Sequence, residues 1–518
     1  CIQLKQKDLE FITPLLPDGN LTFSNLSYLF AASRLIKKLK LKAEDFAIIQ
    51  QLSGINISSS PLKTLEFIKV IEDLKNSPIK APDVRFILNH KATKLNDWEI
   101  KVEKIEELLG KLQIGYKKIN EEQNSKFDDK LSADEQKESL ISILSGLSGV
   151  SENDVKTMAG FIDGNWKFKY INTSGLEITS ASDVDAAVYL NYKLDAGINI
   201  SSITAELNSL NAALVLAMNA TAAQVTAKVA IENAHIAVST ATTPPELAAA
   251  QAQLNAAEAH EVLTSAAAEV AINAFEVKRV KLVKAFLDEI ANFQIAVNKQ
   301  ALLEQTLSTA FKVDLGLIGI VVMYSKLNQP APGTDLIKEL LSDNFANSIT
   351  PVNYPIQYAA IELFHKMLAL LNAFKFSNTD TTWYFKNNSA LGWFEFDSIP
   401  YDLGQTAIDF AKYISFCRNV TFSQQFTAVT NPLGAEQPIS FFTIADIILL
   451  GVAANRDEFL NKLALLTGYE KDDLDAIDAH LFAAFNIDNY KEPENWKRLL
   501  TCADFTRKLG AEVAQITN

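Results

Sequence analysis

Four stretches of this 518-residue chain repeat one short pattern: an apolar residue, an Asp four positions later, an apolar residue directly after it, and another about three further on. They are Leu41…Asp45-Phe46…Ile49, Ile79…Asp83-Val84…Ile87, Val150…Asp154-Val155…Met158 and Tyr469…Asp473-Leu474…Ile477. Each follows a run of helical apolar spacing, so the pattern predicts helix, short turn, helix. The first apolar residue is placed to tuck under the next helix as a hydrophobic staple. The Asp falls in that helix's first turn, where negative charge meets the positive end of the dipole. Units of this kind stack on their neighbours to bury their apolar faces. The expected fold class is therefore all-α, built from stacked helical-pair repeats. Leu509-Gly-Ala-Glu512-Val513 is one residue short of the pattern and counts as a weak fifth copy.

Local signals divide the chain into four expected segments. Residues 1–130 form an N-terminal helical repeat block, with helices at 22–40, 43–53, 61–76 and 81–92 and a Lys/Glu-rich, solvated helix with a flexible tail over 95–130. Ser60-Pro61 reads as an N-cap followed by proline at the first helical position. Residues 131–200 form a helical unit opened by a capping box at Ser132 and Glu135, with a small β insertion. There Trp166–Tyr170 alternates apolar and polar residues and Leu176–Ile178 is placed to pair with it. Residues 201–310 are Ala-rich and predict a long antiparallel helical hairpin. Its turn is Thr242-Thr243-Pro244-Pro245-Glu246, where Thr243 and Glu246 form another capping box. Residues 311–518 form a C-terminal helical repeat block. In it Thr334 is expected to cap a helix. Ile361, Phe364, Leu368 and Leu371 make one apolar stripe, and Ala407, Phe410, Ala411, Ile414 and Cys417 another. Trp496, Leu499 and Leu500 open the final pair.

Charge and composition exclude several roles. A net charge of −14 argues against nucleic acid and against electrostatic docking to anionic lipid. Cys1, Cys417 and Cys502 are too few and too scattered for a disulfide framework or a metal site, and Cys417 on its apolar stripe reads as buried and inert. The chain begins with Cys1 and shows no leader pattern, which reads as an excised piece or mature form, without a signal peptide. The longest apolar run, Val313–Met323, is about half the ~20 residues of a membrane helix and reads as a buried one. No transmembrane segment is expected.

Searching for chemistry yields little. No nucleophile elbow, phosphate loop or dinucleotide fingerprint occurs. No enzyme activity, cofactor or metal is expected. Asp472, Asp473, Asp475 and Asp478 resemble a cation site, but acidic enrichment of a helix start explains them better. Trp383, Tyr384, Phe385, Trp393, Phe394 and Phe396 suit either a sugar-stacking platform or, preferably, the core of a connector. Among the histidines His90, His235, His260, His365 and His480, none is at metal-ligand spacing, and His260-Glu261 reads as a solvent-facing pair. His365 and His480 are the candidate pH sensors.

The repeat, the segment Leu391–Pro400 (LGWFEFDSIP) and the unit from Leu465-Leu466-Thr467-Gly468 to Asp473-Leu474, taken in order, resemble the A subunit of the insecticidal toxin complexes, the Tc toxins. The resemblance spans most of the chain outside 95–200. It implies a non-enzymatic segment of the α-helical shell that surrounds a translocation channel, secreted or at the cell surface. The implied partners are the remainder of the toxin A chain, its homo-oligomer (a pentamer) and a host surface receptor, with no nucleic acid and no membrane insertion by this segment. The alternatives are a free-standing helical-repeat protein-binding module and an all-helical enzyme, the latter requiring a pocket with convergent polar groups.

Overall fold

The computed structural model describes residues 4–92, 98–124, 133–147, 150–163, 190, 194, 198–327, 334–342, 345–430, 438–482, 484–510 and 513. The fold is all-α. It divides into two compact units, residues 1–114 with 302–518, and residues 115–301. The first and last expected segments thus lie largely in one unit, and the two middle segments in the other.

In chain order the helices are α1 (Gln6–Ile12), α2 (Phe23–Leu39), α3 (Ala43–Ser53), α4 (Pro61–Asn76), α5 (Ala81–Asn89) and α6 (Val102–Asn124). Then follow α7 (Ala133–Ser145), α8 (Glu152–Ile162), α9 (Ile200–Thr240) and α10 (Pro244–Phe311). The chain ends with α11 (Leu315–Tyr324), α12 (Leu336–Ser342), α13 (Pro355–Ala373), α14 (Asn378–Asn387), α15 (Phe410–Gln425), α16 (Phe441–Leu449), α17 (Arg456–Thr467), α18 (Lys471–Leu481) and α19 (Pro493–Leu509).

The four pattern aspartates share one local geometry. Asp45, Asp83, Asp154 and Asp473 are each the third residue of a helix, α3, α5, α8 and α18. In each case the residue before the helix is extended, and its carbonyl accepts from the amide of the apolar residue after the Asp. These bonds are Phe46 N to Lys42 O, Val84 N to Lys80 O and Val155 N to Ser151 O at 3.0 Å, and Leu474 N to Glu470 O at 3.1 Å. Phe46, Val84, Val155 and Leu474 are all buried, so an apolar anchor fixes the chain direction at each helix start, while only the start of α8 also carries a side-chain cap. Asp154 completes a full capping box with Ser151, accepting from its backbone N at 2.8 Å and its Oγ at 2.6 Å. Two of the preceding helices end on a left-handed residue, Lys40 (φ 54°) before Leu41 and Gly468 (φ 70°) before Tyr469. Glycine adopts that conformation without the clash a Cβ brings.

Packing follows from these starts. α3 packs on α1 and on α5, so two pattern helices face each other; α15 packs on α4; α17, α18 and α19 pack in succession; α8 packs on α7. The C-terminal part of the first unit is bound by an aromatic cluster around Phe416. Its ring lies 5.2 Å from Phe394, 5.7 Å from Tyr384 and 5.8 Å from Phe396.

Several expectations are corrected. The helix expected within 95–130 is not solvated on all sides: α6 buries Ile105, Leu108, Leu109, Leu112 and Tyr116 at helical spacing, and the expected flexible tail at 125–130 lies outside the described residues. The Lys and Glu residues of α6 occupy only the other face. Thr334 does not cap a helix; it pairs with Leu327 in a short antiparallel ladder, Lys326–Leu327 with Thr334–Asp335. Asp335 is the cap, accepting from Lys338 N. Ala407 and Ala411 leave the stripe of α15: the helix begins only at Phe410, with Asp409 capping it at Ala411 N, so Ala407 precedes it and Ala411 lies in its open first turn. Both alanines are exposed, while Phe410, Ile414 and Cys417 are buried as the spacing requires. The expected hairpin at Trp166–Ile178, the Ser132 cap and Glu512 of the fifth copy lie outside the described residues.

Candidate functional site

The Ala-rich segment folds into the antiparallel pair α9–α10. Its turn is tied by Glu246, whose Oε2 accepts from Thr242 N at 3.1 Å, Thr243 N at 3.0 Å and Thr242 Oγ1 at 3.0 Å. These bonds, that from the Thr242 amide foremost, hold the Glu246 carboxyl below its ordinary pKa. At the base, Leu207, Leu210, Leu282, Val283, Phe286 and Ile290 join Val155, Met158 and Phe161 of α8 and Leu140 and Leu144 of α7 in one apolar core. From the base outward the two helices bury only a seam. On α9 it is Leu210, Ala213, Ala217, Ala227 and Ala234; on α10 it is Ala250, Leu254, Ala268 and Leu282. The recurrences 210/217, 227/234, 254/268 and 268/282 are multiples of seven, the repeat of a left-handed coiled coil. Gln224 Nε2 donates to Ser265 Oγ at 2.7 Å across the seam, and Ser265 Oγ donates to Glu261 Oε1 at 2.6 Å. Glu261 thus turns toward the seam while its neighbour His260 is exposed.

Each helix also carries a second apolar stripe, on the face turned away from the seam. On α9 it runs Val215, Met218, Ala222, Val225, Val229, Ile236; on α10 it runs Ala259, Leu263, Ala266, Val270, Val277, Val280. These side chains are exposed, Met218 at 63% and Leu263 and Val270 at 70%. At about 100° per residue the outer stripes lie ~155–180° around each helix from the seam. Contiguous exposed apolar surface on this scale marks an interaction site. α9 is also long and apolar enough to cross a membrane by length and composition, a helix that the sequence reading, resting on Val313–Met323, passed over. The outer stripes were missed too, although their seven-residue spacing is readable once the seam is known.

The candidate pH-sensing histidines differ. His480 is exposed in the last turn of α18, where its side chain meets the negative end of the dipole. His365 is half-buried; its Nε2 lies 2.8 Å from Trp98 O and its ring 5.2 Å from that of Phe311. Burial pushes its pKa below the usual histidine value. Beside it stands a buried cluster that sequence reasoning missed. Lys366 is fully buried, its Nζ within 3.1 Å of Phe86 O, 2.6 Å of Pro400 O and 2.8 Å of His90 Nδ1, and 4.0 Å from the Phe86 ring centre. Glu362, one turn earlier on α13, is buried with Oε1 lacking a hydrogen-bond partner. Burial pushes the Glu362 pKa up and the Lys366 pKa down, each opposed by the other's charge. A lysine within a buried helix gives no periodic signal, which is why the spacing did not reveal it.

The remaining candidates resolve into structure. Asp478 is buried and held by Tyr490 Oη at 2.5 Å and Arg456 Nη2 at 3.2 Å, and Asp475 binds the same Arg456 nitrogen at 2.9 Å. Asp472 and Asp473 are exposed in the first turn of α18. No group of three or more metal-ligating side chains occurs among the described residues. Tyr384, Trp393, Phe394 and Phe396 are buried, so the aromatic segment is a core rather than a stacking platform. Trp393 Nε1 donates to Lys491 O at 2.9 Å, and Gly392 at φ 68° makes the turn that sends Trp393 inward. Cys417 is buried, and burial pushes its thiol pKa up to about 12. A cleft of about 350 Å³ beside it is lined by Asp73, Arg418, Tyr469 and Lys497. Arg418 is held there by Asp73 at 2.9 and 2.7 Å.

These features define an all-α protein bearing a coiled-coil hairpin with an apolar outer face. No family model, curated protein or solved structure matches the chain.

Proposed function

We propose that the chain is a non-enzymatic structural segment of a larger secreted assembly, namely the helical shell of a Tc-like toxin A subunit. The observation that supports this reading is the pair of outer stripes on α9 and α10. A chain whose apolar residues are satisfied by its own core has no use for a second heptad stripe on the solvent side of both helices. The repeated helix starts at Asp45, Asp83, Asp154 and Asp473 suit a wall assembled from like parts. In such a wall the Leu391–Pro400 segment serves as an internal joint, since it packs its aromatic rings into the core. The partners are then the rest of the toxin chain and further copies of it, with a host receptor engaged by the whole particle.

An antibody against the chain tests the reading on native secreted material from the producing cells. The expected result is one particle far heavier than a single polypeptide of this length. Recovery of the chain only as a free monomer would overturn it.

A further inference from the structure

We infer that the hairpin docks on a second copy of itself, the outer stripe of α9 in one copy packing against the outer stripe of α10 in the next. This rests on the scaffold reading and names the partner of its apolar surface. Three observations carry it. First, the recurrences Val215/Ala222/Val229/Ile236 and Leu263/Val270/Val277 are seven apart, the same period as the seam. A stripe of that period is filled by another helix of the same period, knob into hole, and α9 and α10 each present one.

Second, the flanks are complementary. Lys228 and His235, seven apart, border the α9 stripe, with Glu232, seven after Val225, on the stripe itself; Glu269 and Glu276, seven apart, border the α10 stripe. All five are exposed. Packing α10 on α10 would set the glutamates side by side, whereas packing α9 on α10 sets Lys228 and His235 against them. The contact is therefore heterologous, using two different patches, and it propagates from copy to copy.

Third, α10 carries Glu269, Glu276 and Lys278 within the span of its outer stripe. A bilayer around the hairpin would have to accept these charges, which a protein partner leaves at the rim. The stripes extend over about 30 Å of each helix at ~1.5 Å per residue, enough for an interface of the smaller specific kind.

The test uses the whole chain and sedimentation at increasing concentration. One variant carries Val225→Glu and Val229→Glu, a second Leu263→Glu and Val270→Glu; circular dichroism checks that each remains helical, since all four positions face solvent. Wild type is expected to associate beyond a dimer or into a closed ring. Each variant alone should be monomeric, with at least a tenfold loss of affinity. Mixed one to one, the variants should form a heterodimer and stop there, because each retains one intact face. A monomeric wild type, association unaffected by either variant, or a mixture that fails to pair would overturn the proposal. So would flotation of a monomeric wild type with phosphatidylcholine–phosphatidylglycerol vesicles, which would assign the stripes to lipid. If self-docking fails while the native chain still runs in a heavy particle, only this contact falls; a free native monomer removes the scaffold reading itself.

Discussion

Lys366 Nζ and His90 Nδ1 lie 2.8 Å apart inside the first unit, a contact in which the lysine donates and the imidazole must be neutral to accept. The same ammonium holds the carbonyls of Phe86 and Pro400. One side chain on α13 therefore ties the C-terminus of α5 to the end of the Leu391–Pro400 segment. Replacing Lys366 with Met leaves those two carbonyls and Glu362 without their cation. The expected loss is ~3–5 kcal/mol of stability, read from urea unfolding of the whole chain; a loss below ~1 kcal/mol would show that the cluster is not the tie described.

His90 makes acid destabilising, while Glu362 in the same cluster opposes it, because burial raises its folded pKa and the folded state gains as that carboxylate takes up a proton. Burial and the nearby Lys366 charge push His90 down to about 4 from its ordinary 6.5, and burial lowers His365 as well. A base with a depressed folded pKa favours the folded state while neutral. As pH falls through 6.5 the unfolded chain gains a proton that folded His90 refuses until about 4, so the His90 contribution to stability falls across that window and is fully present above it. Between pH 7 and pH 5 the melting temperature of His90→Asn should fall less, or rise more, than that of the wild type. Asn tolerates the left-handed backbone at position 90, where φ is 51°. An unchanged slope in that variant would contradict the assignment.

The four pattern aspartates should not contribute equally. Asp154 is buried and closes a capping box with Ser151, so Asp154→Ala should cost ~1–2 kcal/mol. Asp473 is exposed and has only the dipole of α18 to serve. Asp473→Ala should cost ~0.3–1 kcal/mol, and less in high salt. Denaturation midpoints at two ionic strengths separate them; equal costs would show that the shared position hides no difference in role.

Core and outer-stripe residues of similar apolarity should differ sharply. Phe416 is buried among Phe394, Tyr384 and Phe396, and Phe416→Ala should cost ~3–5 kcal/mol. Val225 is exposed on the outer stripe, and in the isolated chain Val225→Ala should stay within ~0.5 kcal/mol. Thermal unfolding of dilute protein reads both. A large loss at Val225 would mean that the stripe packs on the chain's own core.

The helix starts were legible because capping chemistry is local: an Asp at the third helical position and an apolar anchor beside it lie within a few residues of each other. The turn at Thr242–Glu246 was legible for the same reason. What spacing alone could not give were groupings made by tertiary contact. α3 chooses α5 as a neighbour across an intervening helix, and Lys366 gathers partners from positions 86, 90 and 400. α6 misled through composition, since its many Lys and Glu residues mask a regular apolar face at Ile105, Leu108, Leu112 and Tyr116. The outer stripes escaped notice because the abundance of alanine blurs the line between seam and surface.

Met218, 63% exposed on the outer stripe of α9, offers the most direct test of the claim that this surface exists to be covered. Hydroxyl-radical footprinting of Met218 and Leu263 should be compared between the isolated chain at low concentration and the native particle. The account predicts strong oxidation in the former and at least severalfold protection in the latter. Equal oxidation of both residues in the two states would contradict it.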